Sequence, residues 1–271
     1  MSAAHPNRSL VFASRPGGAA EVRLCCFPHA GGGPAPFMRG AAHLPKHVEL
    51  VGVCLPGHGH RVAERPLETV AAMAEAVAEA VEPLLDRPLA LLGHSLGALV
   101  AFEVARELRR RRGIEPVALF VAAAPAPGAL GRADPIGHLP DGALWTAVKA
   151  RYGGTADAVD DDPQLRGLLL PALRADMMAL ESHRCVPQPP LKCGILALAG
   201  DADAEASVAA LAAWGAYTTG PFGLRLFPGG HFFLHERTPA VLRAVVRWLA
   251  EKGGSQPGPA SRNPGVPARR W

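Results

Sequence analysis

The sequence predicts an α/β fold, a mostly parallel central sheet with helices on both faces, and three observations carry that prediction. Short apolar runs of strand length alternate with helical patterns along most of the 271 residues, a rhythm that places strands in parallel and helices on the two faces. One strand ends on Gly-His-Ser-Leu-Gly, residues 93 to 97, and passes at once into a helix. One connection, from Pro125 to Pro190, is far longer than a single crossover helix requires.

The strand-like runs span Arg23 to Phe27, Glu49 to Leu55, Leu89 to Leu92, Val117 to Ala122, Gly194 to Ala199 and Gly223 to Phe227. The clearest helical patterns span Thr69 to Leu85, Leu96 to Arg111 and Thr238 to Glu251. The long connection reads as a helical insertion over about 125–190. In it Asp141 and Asp162 stand where N-caps are expected, and Pro163 suits a first helical position. Leu165, Leu168, Leu169, Leu173, Met177 and Leu180 recur at helical spacing, a stripe that suits a packed layer or a lid. Pro171 predicts a kink or break in that helix. Residues 1–20 read as a flexible N-terminal segment and 21–252 as the folded domain. Residues 253–271, rich in Gly, Pro and Ser without periodicity, read as a disordered tail.

Apolar residues make up 49% and charged residues 19% of the chain, the balance of a folded globular protein. The formal charge of +4 resides in the ends: without Arg8, Arg15, Arg262, Arg269 and Arg270 the body stands at about −1, which argues against a nucleic-acid partner. The run Arg109, Arg110, Arg111 and Arg112 falls where a helix ends, a place the helix dipole favours for cations. No apolar run reaches the length of a membrane span, and the N-terminus lacks a signal-peptide core. A cytoplasmic protein without membrane contact is expected, and a monomer is the default. Cys25, Cys26, Cys54, Cys185 and Cys193 are odd in number and lack C-x-x-C or zinc-ligand spacing. They read as reduced and structural, with no metal or cofactor implied.

The chemistry starts at Ser95. Ligands of such sheets sit beyond the carboxyl ends of the strands, and Gly93 and Gly97 remove side chains that would collide in a sharp strand-to-helix turn presenting the serine. No G-K-[ST] follows that would make the turn a phosphate loop. A serine hydroxyl needs a base, and the base an orienting carboxylate; with this turn the chain order is Ser, acid, His. His231, in FPGGHFF after the last strand run, fits the base by order and position. His58 and His60 precede Ser95, His235 belongs to the final helix region, and His94 reads as a packing residue turned into the fold. Asp203, in LALAGDADAEAS, lies far enough past its strand to reach the histidine, with Asp201 as the alternative. The backbone N–H of Leu96 and that of Ala30, in the glycine-rich CCFPHAGGG loop, are the expected oxyanion donors.

From about Leu24 to Leu249 the chain resembles the type II thioesterases of polyketide and nonribosomal peptide synthase systems. The likeness rests on CFPHAGGG, LPGHGHR, GHSLGALVAFEVARELR, LPALRADMMALESHR and TTGPFGLRLFPGGHFFL. It implies an α/β-hydrolase fold with a helical lid insertion and a Ser95, Asp203, His231 triad. It also implies hydrolysis of acyl groups from the phosphopantetheine arm of an acyl or peptidyl carrier protein. His58 stands where relatives usually read LPGRG, and Ala204, Glu205 and Ala206 replace the usual Pro-Leu-Val after the acid. A carboxylesterase or lipase would share the triad. A non-catalytic carrier-binding module is the reading from another class, and the intact Ser, Asp and His weigh against it.

Overall fold

Apolar runs buried on both faces become the strands of one sheet, because each backbone N–H and C=O that leaves water must find a ladder partner. In the computed structural model, which describes residues 10–13, 20–130, 134–153 and 162–252, seven strands pair in the order β1-β3-β2-β4-β5-β6-β7. They are β1 Val11–Ala13, β2 Val22–Phe27, β3 Val48–Val53, β4 Leu89–His94, β5 Ala118–Ala122, β6 Gly194–Gly200 and β7 Phe222–Phe227. All pairs are parallel except β1 with β3, where Val11 faces Val53. β4 lies between β2 and β5, so its carboxyl end is central in the sheet.

Eight helices flank or cover the sheet among the described residues: α1 Ala35–Gly40, α2 Val70–Val81, α3 Leu96–Arg112, α4 Asp141–Tyr152, α5 Pro163–Ser182, α6 Val208–Ala212, α7 Phe233–Glu236 and α8 Thr238–Lys252. One apolar layer packs α2 and α3 on the sheet through Met73, Val77, Leu99, Phe102 and Leu108. The opposite layer sets Phe37 of α1 and Val241 and Val245 of α8 against Leu24, Leu50 and Phe120. β2 to β6 contribute alternate side chains to the two layers, the period-two pattern of a sheet buried on both sides. No described helix is long and apolar enough to cross a membrane.

The insertion has an apolar cluster of its own, made of Ile136, Leu144, Trp145, Val148, Leu170, Leu173 and Met177. Asp162 caps α5, its carboxylate accepting from the N–H groups of Gln164 and Leu165. Asp141 does not cap α4: Pro140 holds the N-cap place, and Asp141, already helical, pairs with Arg174 at 2.7 Å. Pro171 does not break α5, which continues for 20 residues. Pro171 and Gly167, four residues before it, both face solvent, so the ring meets no side chain there and the freed carbonyl can be hydrated. Leu168 of the expected stripe is 52% exposed, and Leu170 takes its place inside.

Val11–Ala13 is the element that the reading of 1–20 missed; three residues are too few for a periodic signal. Residues 1–9 and 14–19 of the expected N-terminal segment and the expected tail, 253–271, lie outside the described residues. The arginine run closes α3 before Gly113 in the left-handed region (φ +66°). Arg111 and Arg112 pair with Glu82, tying the helix end to the segment after α2, and Arg110 pairs with Glu107 one turn back on the same helix.

Removing the α5 cap by Asp162→Ala should cost about 1 kcal/mol of stability, with Asp141→Ala costing less because its ion pair is solvent-exposed. Urea denaturation of the two variants measures the ranking.

Candidate active site

β4 runs out at His94, and Ser95 must turn the chain within one residue so that α3 can pack back on the sheet. Ser95 takes φ 56°, ψ −122°, a backbone region that costs a side-chain-bearing residue on the order of 1–3 kcal/mol. Its N–H donates to the carbonyl of Ala122 at 2.8 Å, which pins the turn to β5. A Cβ on Gly97 would lie 2.4 Å from the carbonyl oxygens of both Phe27 and Pro28; one on Gly93 would lie 2.2 Å from the carbonyl oxygen of Gly97. Backbone therefore packs on backbone around the serine.

His231 lies in the loop between β7 and α7. Its Nε2 is 3.0 Å from Ser95 Oγ, and its Nδ1 is 3.0 Å from Asp203 Oδ2. The Asp203 side chain is 1% exposed, and its other oxygen accepts the N–H of Glu205 at 3.0 Å. Asp201 serves the loops instead. Its Oδ1 accepts the N–H of Gly229, and its own N–H donates to Phe227 O, stitching the β6 and β7 loops together. The Ala204, Glu205, Ala206 departure thus leaves the contact between Asp203 and His231 in place.

In the loop after β2, the N–H of Gly31 donates to Asp176 Oδ2 at 2.7 Å and that of Gly32 to His29 O at 2.9 Å. Both of these donors are committed within the fold. Leu96 opens α3, where backbone N–H groups lack a partner within the helix.

His94 does more than pack. It is fully buried, and its Nε2–H donates to the backbone carbonyl of His231 at 2.8 Å, fixing the loop that carries the imidazole. Burial, reinforced by neighbouring histidines, pushes its pKa well below the ordinary value, so it stays neutral. Its adjacency to Ser95 in Gly-His-Ser is the signal that could have found it. His29 and His235 complete a cluster behind it: His29 Nδ1 lies 3.2 Å from His235 Nε2, and the His94 ring stands edge-on 5.3 Å from His29 and tilted 67° at 5.1 Å from His235. Burial foremost pushes His29 down to about 3 and His235 to about 4. One nitrogen from each of His29, His94 and His235 lies within 4.8 Å of the others, the one such grouping among the described residues with the geometry to hold a metal. As found, hydrogen bonds within the cluster and to His231 already engage the three rings.

A cavity of about 1020 Å³ opens beside Ser95 and His231. Its floor is one face of α3, where Ser95, Leu99, Phe102 and Arg106 follow at helical spacing, and Met177 and Leu180 of α5 line it from the insertion. All five cysteines are free thiols; burial raises the Cys25 thiol and pushes that of Cys193 up to about 12.

Residues 22–249 match the model of the thioesterase domain family. The chain belongs to that family. This thioesterase is 40% identical over 257 residues to thioesterase PikA5 of Streptomyces venezuelae, covering 92% of this chain and 90% of the relative. It is 38% identical over 231 residues to the gramicidin S biosynthesis protein GrsT of Aneurinibacillus migulanus, covering 85% and 90%. The structure of the type II thioesterase BorB from the borrelidin biosynthetic cluster superposes with a TM-score of 0.81 at 37% identity, covering 89% of this chain and 97% of that one. The thioesterase has the α/β-hydrolase fold of these neighbours and is a thioester hydrolase.

Gly97→Ala should prevent the thioesterase from folding or lower its melting temperature by many degrees, since overpacking costs about 1–3 kcal/mol even where side chains can give way and here the obstacle is backbone on two sides. Circular dichroism melts of the purified variant test this.

Proposed function

We propose that the thioesterase hydrolyses acyl groups from the phosphopantetheine arm of acyl or peptidyl carrier proteins. Ser95 is the nucleophile, His231 the base, Asp203 the orienting acid, and the N–H groups of Ala30 and Leu96 the oxyanion donors. The observation that carries this reading is the pair of 3.0 Å contacts joining Ser95, His231 and Asp203 at the mouth of a large, partly apolar cavity. The names of its relatives, from gramicidin S and borrelidin biosynthesis, support the class of partner.

The geometry gives each proton a route. His231 Nε2 takes the proton of Ser95 Oγ as the oxygen attacks the thioester carbonyl, and charge develops on the acyl oxygen between the two backbone N–H groups. Asp203 accepts from Nδ1–H, which fixes the tautomer and stabilises the imidazolium that forms. The imidazolium returns its proton to the pantetheine sulfur as the C–S bond breaks. Water, deprotonated by the same nitrogen, then hydrolyses the acyl-Ser95 ester. The acyl chain lies along the α3 face between Leu99 and Phe102 on one side and Met177 and Leu180 on the other. Its carrier docks beside the insertion: the arginine run at the far end of α3 is roughly 25 Å from Ser95, at 1.5 Å per residue, and is bound to Glu82 and Glu107.

Ser95→Ala should abolish hydrolysis of an acyl-pantetheine thioester in a folded protein; near parental turnover would remove Ser95 from the mechanism. Asp203→Asn should lower kcat by a factor on the order of 10⁴, as loss of a triad aspartate does elsewhere, while Asp201→Asn costs far less. Comparing a pantetheine thioester with the matching oxygen ester separates this reading from a general esterase, which would favour neither.

A further inference from the structure

His58 and Asp176 form a buried pair that the mechanism above does not use. His58, between β3 and α2, is 4% exposed, and Asp176, on α5 of the insertion, is 1% exposed. One oxygen, Asp176 Oδ2, accepts twice: from His58 Nε2 at 2.8 Å and from the N–H of Gly31 at 2.7 Å. The other His58 nitrogen, Nδ1, lies 3.0 Å from the carbonyl oxygen of Pro56. With Asp176 as a carboxylate, both partners only accept, so both ring nitrogens donate and the ring is an imidazolium. A neutral imidazole would leave one acceptor facing a bare lone pair in a buried site, which is costly.

This pair meets the oxyanion loop. Gly31, at φ +71°, follows Ala30 directly, and Leu173, one turn before Asp176 on α5, covers it: a Cβ there would lie 3.1 Å from Leu173 Cδ1. The insertion thus grips the loop by one apolar contact and one charged hydrogen bond. We propose that Asp176 is a positioning residue that sets the Ala30 N–H through its bond to Gly31, and that this grip holds only while His58 carries both ring protons. The proposal rests on the reading of Ala30 as an oxyanion donor.

The surroundings agree. Burial alone disfavours the imidazolium, but the charge and hydrogen bond of Asp176, with help from the backbone at Pro56 and Leu55, outweigh it and raise the His58 pKa above its ordinary value. The titratable groups around it do not compete. His29 is neutral because burial holds it near 3; the Cys54 thiol donates to the His58 carbonyl at 3.2 Å. Arg61 is bound to Glu64 and to the Cys54 carbonyl, and Arg174 is turned to Asp141. For a raised folded-state pKa, the contribution of the pair is complete below the unfolded value of about 6.5 and is lost as pH rises through the folded pKa. Loss of the grip therefore falls on the alkaline side.

The test is the pH dependence of kcat and KM on an acyl-pantetheine thioester, corrected for spontaneous hydrolysis, with melting temperatures at each pH. Asp176→Ala should lower kcat at least tenfold while KM changes less than threefold. The parent should lose kcat and melting temperature together on the alkaline side, and His58→Arg, charged at every pH, should remove that decline. His58→Gln, never charged, should show the reduced alkaline kcat at neutral pH as well. If Asp176→Ala does not fold, the two His58 variants decide. Parental kcat in folded Asp176→Ala or in His58→Gln, or an alkaline decline unchanged in His58→Arg, overturns the proposal. A parent protein without thioesterase activity, or an active Ser95→Ala, would instead overturn the function proposed above.

Discussion

The turn at Ser95 is the constraint on which the rest of the structure depends. A strand in the middle of the sheet must become a helix within one residue, and that is feasible only where backbone can touch backbone, at Gly93 and Gly97. Once the turn is made, Ser95 stands in a strained conformation at the sheet's carboxyl edge, held by its N–H to Ala122 on one side and by α3 on the other. The loop after β2 is pressed against the same turn, because Gly97 abuts Phe27 and Pro28. The Ser95 hydroxyl and the loop after β2 are therefore positioned by one packing event.

Charge is placed sparingly around this point. His29, His94 and His235 are kept neutral by burial, so the carboxylate of Asp203 faces His231 without a competing cation among them. His94 bonds the His231 backbone and Asp203 its ring, so the imidazole is held at both ends. The neutral cluster also keeps a layer of polar rings beneath the site from needing counter-ions that the apolar layers on either side could not supply.

The insertion is a second small core laid over the first. Its own cluster, built on Trp145, Leu170, Leu173 and Met177, lets α4 and α5 pack on each other, and Met177 with Leu180 roofs the cavity whose floor is α3. Its deeply buried acid, Asp176, is the point where this layer reaches the loop after β2. An apolar roof would slide at little cost; a charged bond with one geometry does not.

The sequence by itself determined what local pattern can carry: apolar runs became β2 through β7, Gly-x-Ser-x-Gly became the strained turn, Asp162 became a cap, and chain order singled out His231. The first three follow from sterics and periodicity within a few residues, which no distant contact has to supply; the last follows from the Ser, acid, His order that goes with such a turn. The sequence favoured Asp203 over Asp201 by its distance past the strand; which carboxylate touches the His231 ring depends on where the β6 and β7 loops end. The edge strand Val11–Ala13, the unbroken helix through Pro171 and the working role of His94 were likewise decided by partners far along the chain. Nothing local distinguishes His58 from any other loop histidine. Only the fold, by burying it between a carbonyl of its own loop and a carboxylate 118 positions later, strengthens its hold on a second ring proton, because protonation state is a property of surroundings and not of sequence.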